Sequence, residues 1–380
     1  MTIVDLPPAI RAAAANAINL AYNESPFGFA PACWNVLYNV QAADLIEYPP
    51  NFRAGRPSEL AEHLARHCQV EPNQVLLGYG AEQLLDDAVT HHVHPGDTVL
   101  APSVSWPYYW RLFDDTGATV RPYLVEPDGD EHTVDVDGLL TRSGDAALVL
   151  LASPNNPTGS LFPFDRIAEV AAAHPDAVVV LDEAYHGLGD LPPDPTRYTA
   201  LLDDAPNLLI VRTFSKLYGL AGARIGYALR GARLARYAAR RARYLGYNRL
   251  SELLGIAALD STSYYDDVRR AMVAGRALLT SRLRAAGVQV YGSQANFVLA
   301  RWPGAGEAAV ARDQLARAGI TVKWPTEPEL THCARITVGT PGQNLALLDA
   351  LTAPPLARAP RRLRRADLIP AYQLAELAGA

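Results

Sequence analysis

Cysteine is scarce in this chain. Cys33, Cys68 and Cys333 are the only three among 380 residues, and their scatter has no metal-ligand spacing. That excludes a disulfide framework or a zinc module and fits a reducing cytoplasm. Long apolar runs are missing too. No stretch approaches the roughly 20 apolar residues a membrane helix needs. Asp5, Pro7, Pro8, Arg11 and Asn16 break up the opening segment, so no signal peptide is expected. Nor is there an excess of basic charge. The net charge of −6 makes no electrostatic case for nucleic acid or an anionic membrane as partner. The one dense basic run, Arg358, Arg361, Arg362, Arg364 and Arg365, follows Pro354 and reads as a solvated terminal helix. His91, His92 and His94 precede a Pro-Gly-Asp turn without an Asp, Glu or Cys partner pattern, so no metal is expected.

What the chain does have is apolar residues, at 49%, enough for a large domain and a smaller one. Residues 1–30 form an irregular arm rich in Pro and Asn. From Leu60 onward helix and strand patterns alternate. Strands are expected at Val75–Leu77, Thr98–Ala101, Thr119–Val125, Ala146–Ala152, Ala177–Leu181 and Leu208–Val211, with helices at Leu60–Cys68, from Ala81, and at Asp165–Ala173. This alternation predicts an α/β fold with a doubly wound, mostly parallel sheet. Residues Gly231 to Ala286 read as consecutive long helices. They lead into a smaller α+β unit with strands at Val288–Tyr291, Asn296–Ala300, Ile320–Lys323 and Ala334–Val338 and a helix at Gly306–Ala318.

The chemistry concentrates at two strand ends. Asp182-Glu-Ala-Tyr185 closes one apolar run and Thr213-Phe-Ser-Lys216 closes another. Ligands bind at the carboxyl ends of strands in open α/β sheets. A lysine there, with an acid from a neighbouring strand, suits pyridoxal phosphate, which needs a lysine for its aldehyde and an acid for its ring nitrogen. Lys216 is therefore the candidate catalytic residue, able to hold the cofactor and then act as general acid and base. Asp182 would pair with the pyridine nitrogen. Tyr185 and Asn156 would reach the phenolate oxygen. Gly80, Ala81 and Glu82 open a helix after a strand, where free amides and the helix dipole suit a phosphate. Thr213 and Ser215 would add hydroxyls and Arg224 a bidentate cation. Arg335 offers a guanidinium fork for a substrate carboxylate, supported by Asn296.

The words Asn23-Glu-Ser-Pro26, Ser153-Pro-Asn-Asn-Pro-Thr-Gly159, Asp182-Glu-Ala-Tyr185, Thr213-Phe-Ser-Lys216, Gly219-Leu-Ala-Gly222-Ala-Arg224-Ile-Gly226 and Arg335-Ile-Thr-Val-Gly-Thr340 run in order. Together they resemble the class I/II, fold-type I pyridoxal-phosphate aminotransferases, nearest to the histidinol-phosphate aminotransferase group. The resemblance implies a large domain with a seven-stranded type of sheet plus a small α+β domain. It divides the chain into an arm and part of the small domain (1–44), a large cofactor-binding domain (45–262), a small C-terminal domain (263–353) and a basic tail (354–380). It implies a homodimer with shared sites, in which Tyr48 reaches the partner's cofactor phosphate. It also implies Tyr22 and Asn23 at the substrate end. The chain departs from the family at four places, one of them the basic tail. Val104 stands where an aromatic usually stacks on the ring, which leaves Trp106 as the candidate. The phosphate turn reads Gly78-Tyr-Gly-Ala-Glu-Gln83. Val322-Lys-Trp-Pro325 replaces a segment that often carries an arginine.

The expected reaction is transamination between an amino acid and a 2-oxo acid. The aromatic cluster Trp106, Tyr108 and Tyr109 favours an aromatic or cationic side chain over histidinol phosphate. Alternatives on the same cofactor are elimination, cyclisation, decarboxylation, oxidation or C–C bond formation, or true histidinol-phosphate transamination. A ligand sensor would need a DNA-binding module, for which no residues are left over.

Overall fold

The computed structural model describes residues 17–141, 145–192, 194–241 and 246–352. The basic tail and the helix expected in it lie outside these residues. In chain order the strands are β1 (Ile18–Leu20), β2 (Val75–Tyr79), β3 (Thr98–Pro102), β4 (Thr119–Tyr123), β5 (Val125–Asp128), β6 (Glu131–Val134) and β7 (Ala146–Ala152). They continue with β8 (Val178–Asp182), β9 (Leu208–Thr213), β10 (Ile225–Arg230), β11 (Gln289–Tyr291), β12 (Phe297–Arg301), β13 (Ile320–Val322) and β14 (Cys333–Thr337).

Seven of these form the central sheet in the order β2-β10-β9-β8-β7-β3-β4. Neighbours from β9 to β4 run parallel, and β10 runs against both β9 and β2. Every residue of β8 is buried, as an unbroken apolar run requires when helices cover both faces. Successive residues alternate between the faces. Val178, Val180, Leu209 and Val211 pack in the layer of the helix Gly80–His92. Val179, Leu181, Leu208 and Ile210 pack in the opposite layer, with the helices Glu59–Cys68 and Arg249–Leu259.

A second sheet, β11-β12-β14, is antiparallel. The helices Thr262–Ala285, Ala305–Arg317 and Pro341–Thr352 pack together beside it. β1 runs parallel to β13 with Ile18 opposite Ile320, so the N-terminal arm is tied to the C-terminal unit.

Four features differ from the expectations, the first being β1, a strand within the arm that the sequence suggests is irregular. β10 is a fully buried strand where the sequence suggests none, because Gly226 in its interior lowers strand propensity. The glycine is needed there: a Cβ on Gly226 would sit 2.4 Å from the Gly80 carbonyl carbon. The run Thr119–Val125 is split at Leu124. The Val125 amide donates to Ser103 Oγ at 2.9 Å, leaves the central sheet and starts the β5–β6 hairpin. The helical stretch after Gly231 is cut into Ala235–Arg241, Arg249–Leu259 and Thr262–Ala285. Gly246, at φ +89, and Asn248, whose side chain accepts from the Ser251 amide, mark the second start.

Candidate active site

Asp182 ends β8 and is 4% exposed. Its Oδ1 accepts the Ala184 amide at 2.9 Å and its Oδ2 accepts the Tyr109 phenol at 2.5 Å. Burial pushes its pKa up to about 6, against the pull of the Tyr109 and Ala184 hydrogen bonds. Tyr109 is expected from the sequence only as part of the aromatic cluster with Trp106 and Tyr108, not as a partner of Asp182. The Tyr109 amide donates to the Trp106 carbonyl at 3.0 Å, in a turn that leads into the helix Tyr108–Asp114. The two rings meet edge to face at 5.5 Å, and both line the cavity at the strand ends.

Lys216 sits three residues past β9 and donates from Nζ to the Tyr22 carbonyl at 3.1 Å. Burial lowers its pKa to about 8, helped by Arg335 and Arg224 and opposed by Glu24 and Asp182. Nζ lies 5.8 Å from the centre of the Tyr185 ring. The Tyr185 phenol accepts from Asn23 Nδ2 at 2.9 Å, and Asn156 Oδ1 accepts from Arg335 Nη1 at 2.6 Å. Acid, amine, phenol and amide thus face one cavity of about 300 Å³.

Ala81 and Glu82, from the first turn of the helix Gly80–His92, line one end of that cavity with Thr213, Ser215 and Arg224. The Ser215 amide donates to Thr213 Oγ1, whose hydroxyl donates to Ser215 Oγ at 2.9 Å. Arg224 holds a left-handed backbone at φ +52, the kind of strain that clusters at functional sites, and its Nη2 donates to Glu82 Oε2 at 3.0 Å. Gly80 does not line the cavity. Its φ is +79, and a Cβ there would fall 2.6 Å from Arg224 Nη2, so its role is to make room for that guanidinium.

At the other end stand Tyr22, Asn23, Glu24 and Arg335. Arg335 is the third residue of β14, and its Nη2 also donates to the Ala21 carbonyl. Asn23, at φ +54, is held on all sides. Its amide donates to Thr337 Oγ1, Thr337 donates to its Oδ1, and its carbonyl accepts from Asn296 Nδ2. Asn296 is fully buried and does not line the cavity, which corrects its expected place at the carboxylate: it acts through Asn23. Glu24 is a lining residue the sequence reading missed. Tyr48 lies outside the cavity of its own chain and is 54% exposed.

The donor set is that of a ring-nitrogen partner, an aldehyde-reactive amine, phenolate donors and a phosphate cradle cleared by Gly80. Pyridoxal phosphate fits all four. Among the described residues no group of three or more His, Cys, Asp or Glu side chains could hold a metal.

Comparison with known proteins agrees with this geometry. The family "Aminotransferase class I and II" matches residues 15–351. Histidinol-phosphate aminotransferase 1 of Dechloromonas aromatica is 31% identical over 337 residues, covering 88% of this chain and 89% of the relative. The histidinol-phosphate aminotransferase of Roseiflexus castenholzii is 33% identical over 345 residues, covering 88% of each. Among solved structures, histidinol-phosphate aminotransferase from Sinorhizobium meliloti, in complex with pyridoxal-5'-phosphate, is 30% identical with a TM-score of 0.79, covering 92% of this chain and 95% of that one. A Thermus thermophilus aspartate aminotransferase variant, 23% identical with a TM-score of 0.71 over 91% of this chain and 95% of its own, shares the fold. The chain belongs to the class I and II aminotransferases.

Proposed function

We propose that this protein uses pyridoxal phosphate to transfer the amino group of an amino acid with a cationic or aromatic side chain to a 2-oxo acid. Asp182 would hold the ring nitrogen, Tyr185 and Asn156 the phenolate oxygen, and Lys216 the aldehyde. Ala81, Glu82, Thr213, Ser215 and Arg224 would hold the phosphate, with the partner subunit's Tyr48, and Trp106 would cover the ring. The cofactor, when bound, supplies the electron sink that lets an amino acid lose its α-proton. The protein's own work is to move that proton on Lys216 Nζ, whose lowered pKa lets it act as base and acid near neutral pH.

One observation carries the substrate class. Among the described residues, the cations lining the cavity are Lys216, Arg224 and Arg335. Lys216 serves the proton and Arg224 the phosphate, so Arg335 is left for one substrate anion, which we take to be the carboxylate of an amino acid. Glu24 and Tyr22 stand at the Arg335 end of the cavity and suit a cation or a ring, and Trp106 lines the same cavity. A second reading, histidinol phosphate as donor, is favoured by the names of the relatives. Against it, Lys323 is exposed and does not line the cavity, and its backbone is spent on pairing with Arg335. A donor panel of arginine, lysine, histidine, phenylalanine, tyrosine and histidinol phosphate with 2-oxoglutarate decides. The highest kcat/KM is expected for a cationic or aromatic amino acid; one for histidinol phosphate above all the others would overturn the reading.

We further infer a homodimer with shared sites, supported by Tyr48 lying outside its own cavity, and a cytoplasmic setting, supported by three buried free thiols. No helix among the described residues is long and apolar enough to cross a membrane.

A further inference from the structure

Asp182 and Glu183 are consecutive and leave their strand towards opposite faces. Asp182 faces the cavity; Glu183 points to the other layer and is 2% exposed. The same holds on β9, where Thr213 faces the cavity and Arg212, 1% exposed, does not. The two turned-away residues meet: Arg212 Nε donates to Glu183 Oε2 at 2.8 Å. The β8–β9 ladder stops here. Asp182 pairs with Val211, and the Glu183 amide gives the last bond, to the Val211 carbonyl at 2.8 Å. Past it the two chains part, one towards Tyr185 and the other towards Lys216. Arg212 Nη1 also donates to the Pro195 carbonyl at 2.9 Å, and His186 Nδ1 lies 3.5 Å from Glu183 Oε1.

A buried ion pair is a poor source of stability, since apolar residues of similar size often do as well or better. Its worth is geometric, because the planar guanidinium donates in fixed directions, here from Nε to Glu183 and from Nη1 to the Pro195 carbonyl. We propose that Glu183 and Arg212 are positioning residues: their pair clamps the ends of β8 and β9 and so fixes the spacing between Asp182 and Lys216. Neither residue touches the cavity at which the chemistry occurs. Each is joined by one peptide bond to a residue that does.

The test uses the full chain, loaded with pyridoxal phosphate. The double variant Glu183→Leu/Arg212→Met removes both charges together and leaves none unpaired. It is expected to fold, to bind the cofactor about tenfold more weakly by equilibrium dialysis, and to lose about tenfold or more in kcat with little change in KM. The midpoint of the pH titration of its visible absorption should move by about half a unit or more. A folded double variant with wild-type loading, titration midpoint and kcat would overturn the proposal, whatever its thermal stability. Should the double variant not fold, Arg212→Lys decides, because it keeps the charge and loses the planar group that joins Glu183 to the Pro195 carbonyl. A shifted midpoint with lowered kcat supports the clamp; an unshifted midpoint with wild-type kcat rejects it.

Discussion

Lys216 is easy to test because the chain contains only two lysines, Lys216 and Lys323. Borohydride treatment of the loaded protein should fix the cofactor on Lys216 alone, and a peptide map showing it on Lys323 would refute the assignment. The pH dependence of loading follows from the lowered pKa of about 8. Only the free amine attacks an aldehyde, so the loading rate of the apoprotein should rise with pH and level off above about 8, whereas an ordinary lysine would still be rising near pH 10. Stopped-flow absorbance from pH 6 to 10 gives the midpoint. Asp182 makes the opposite demand. Its folded pKa of about 6 exceeds that of a free carboxyl, so the apoprotein bears an ionised, buried acid above that pH and loses stability as pH rises through that range. Asp182→Asn should therefore stabilise the apoprotein at pH 7 by about 1–3 kcal/mol and leave it unchanged near pH 4, while weakening cofactor binding. Urea denaturation at the two pH values reads the difference. These two residues were legible in the sequence because each closes an apolar run within a short word. Glu24 was not, and Tyr109 was legible only as a member of an aromatic cluster. Tyr109 matters through a contact with Asp182, 73 residues away, and Glu24 through the cavity wall it shares with Arg335; no local pattern carries either fact.

The parallel strands could be read from the sequence as elements, since burial on both faces writes an unbroken apolar run. β10 could not, because its evidence is tertiary: it is a strand on account of what it touches on either side. The strand-to-helix junction at Gly80 shows how such contacts become function. Gly80→Ala places a methyl against the Arg224 guanidinium on a backbone at φ +79. It should weaken affinity for pyridoxal phosphate by about tenfold or more, as expected for disturbing a charge-assisted fork. Gly96→Ala is the control: its φ of +90 carries the same backbone penalty, about 1 kcal/mol, but no atom lies within 4 Å. Equal losses of cofactor affinity in both variants would mean that backbone strain, not the clash with Arg224, is responsible.

At the scale of the molecule, five of the twelve large hydrophobic side chains exposed among the described residues fall in one segment. Trp34, Tyr38, Leu45, Ile46 and Tyr48 are all exposed, Tyr38 and Ile46 at 79% each. Trp34 and Tyr38 stack on each other with ring centres 6.0 Å apart, which prepares a rigid apolar face at little entropic cost. Large exposed apolar surface of this kind marks an interaction site. If a second copy covers it, Tyr48 is carried towards the other subunit, and each site takes Lys216 from one chain and Tyr48 from its partner. Co-expression of Tyr48→Ala and Lys216→Ala chains then has a definite outcome. Random assembly makes about half of the dimers mixed, and each mixed dimer holds one site with both lesions and one with neither. About a quarter of wild-type activity should return, although each variant alone is nearly inactive. Activity no higher than the average of the two variants, in a sample shown by sedimentation to contain mixed dimers, would mean that each chain completes its own site.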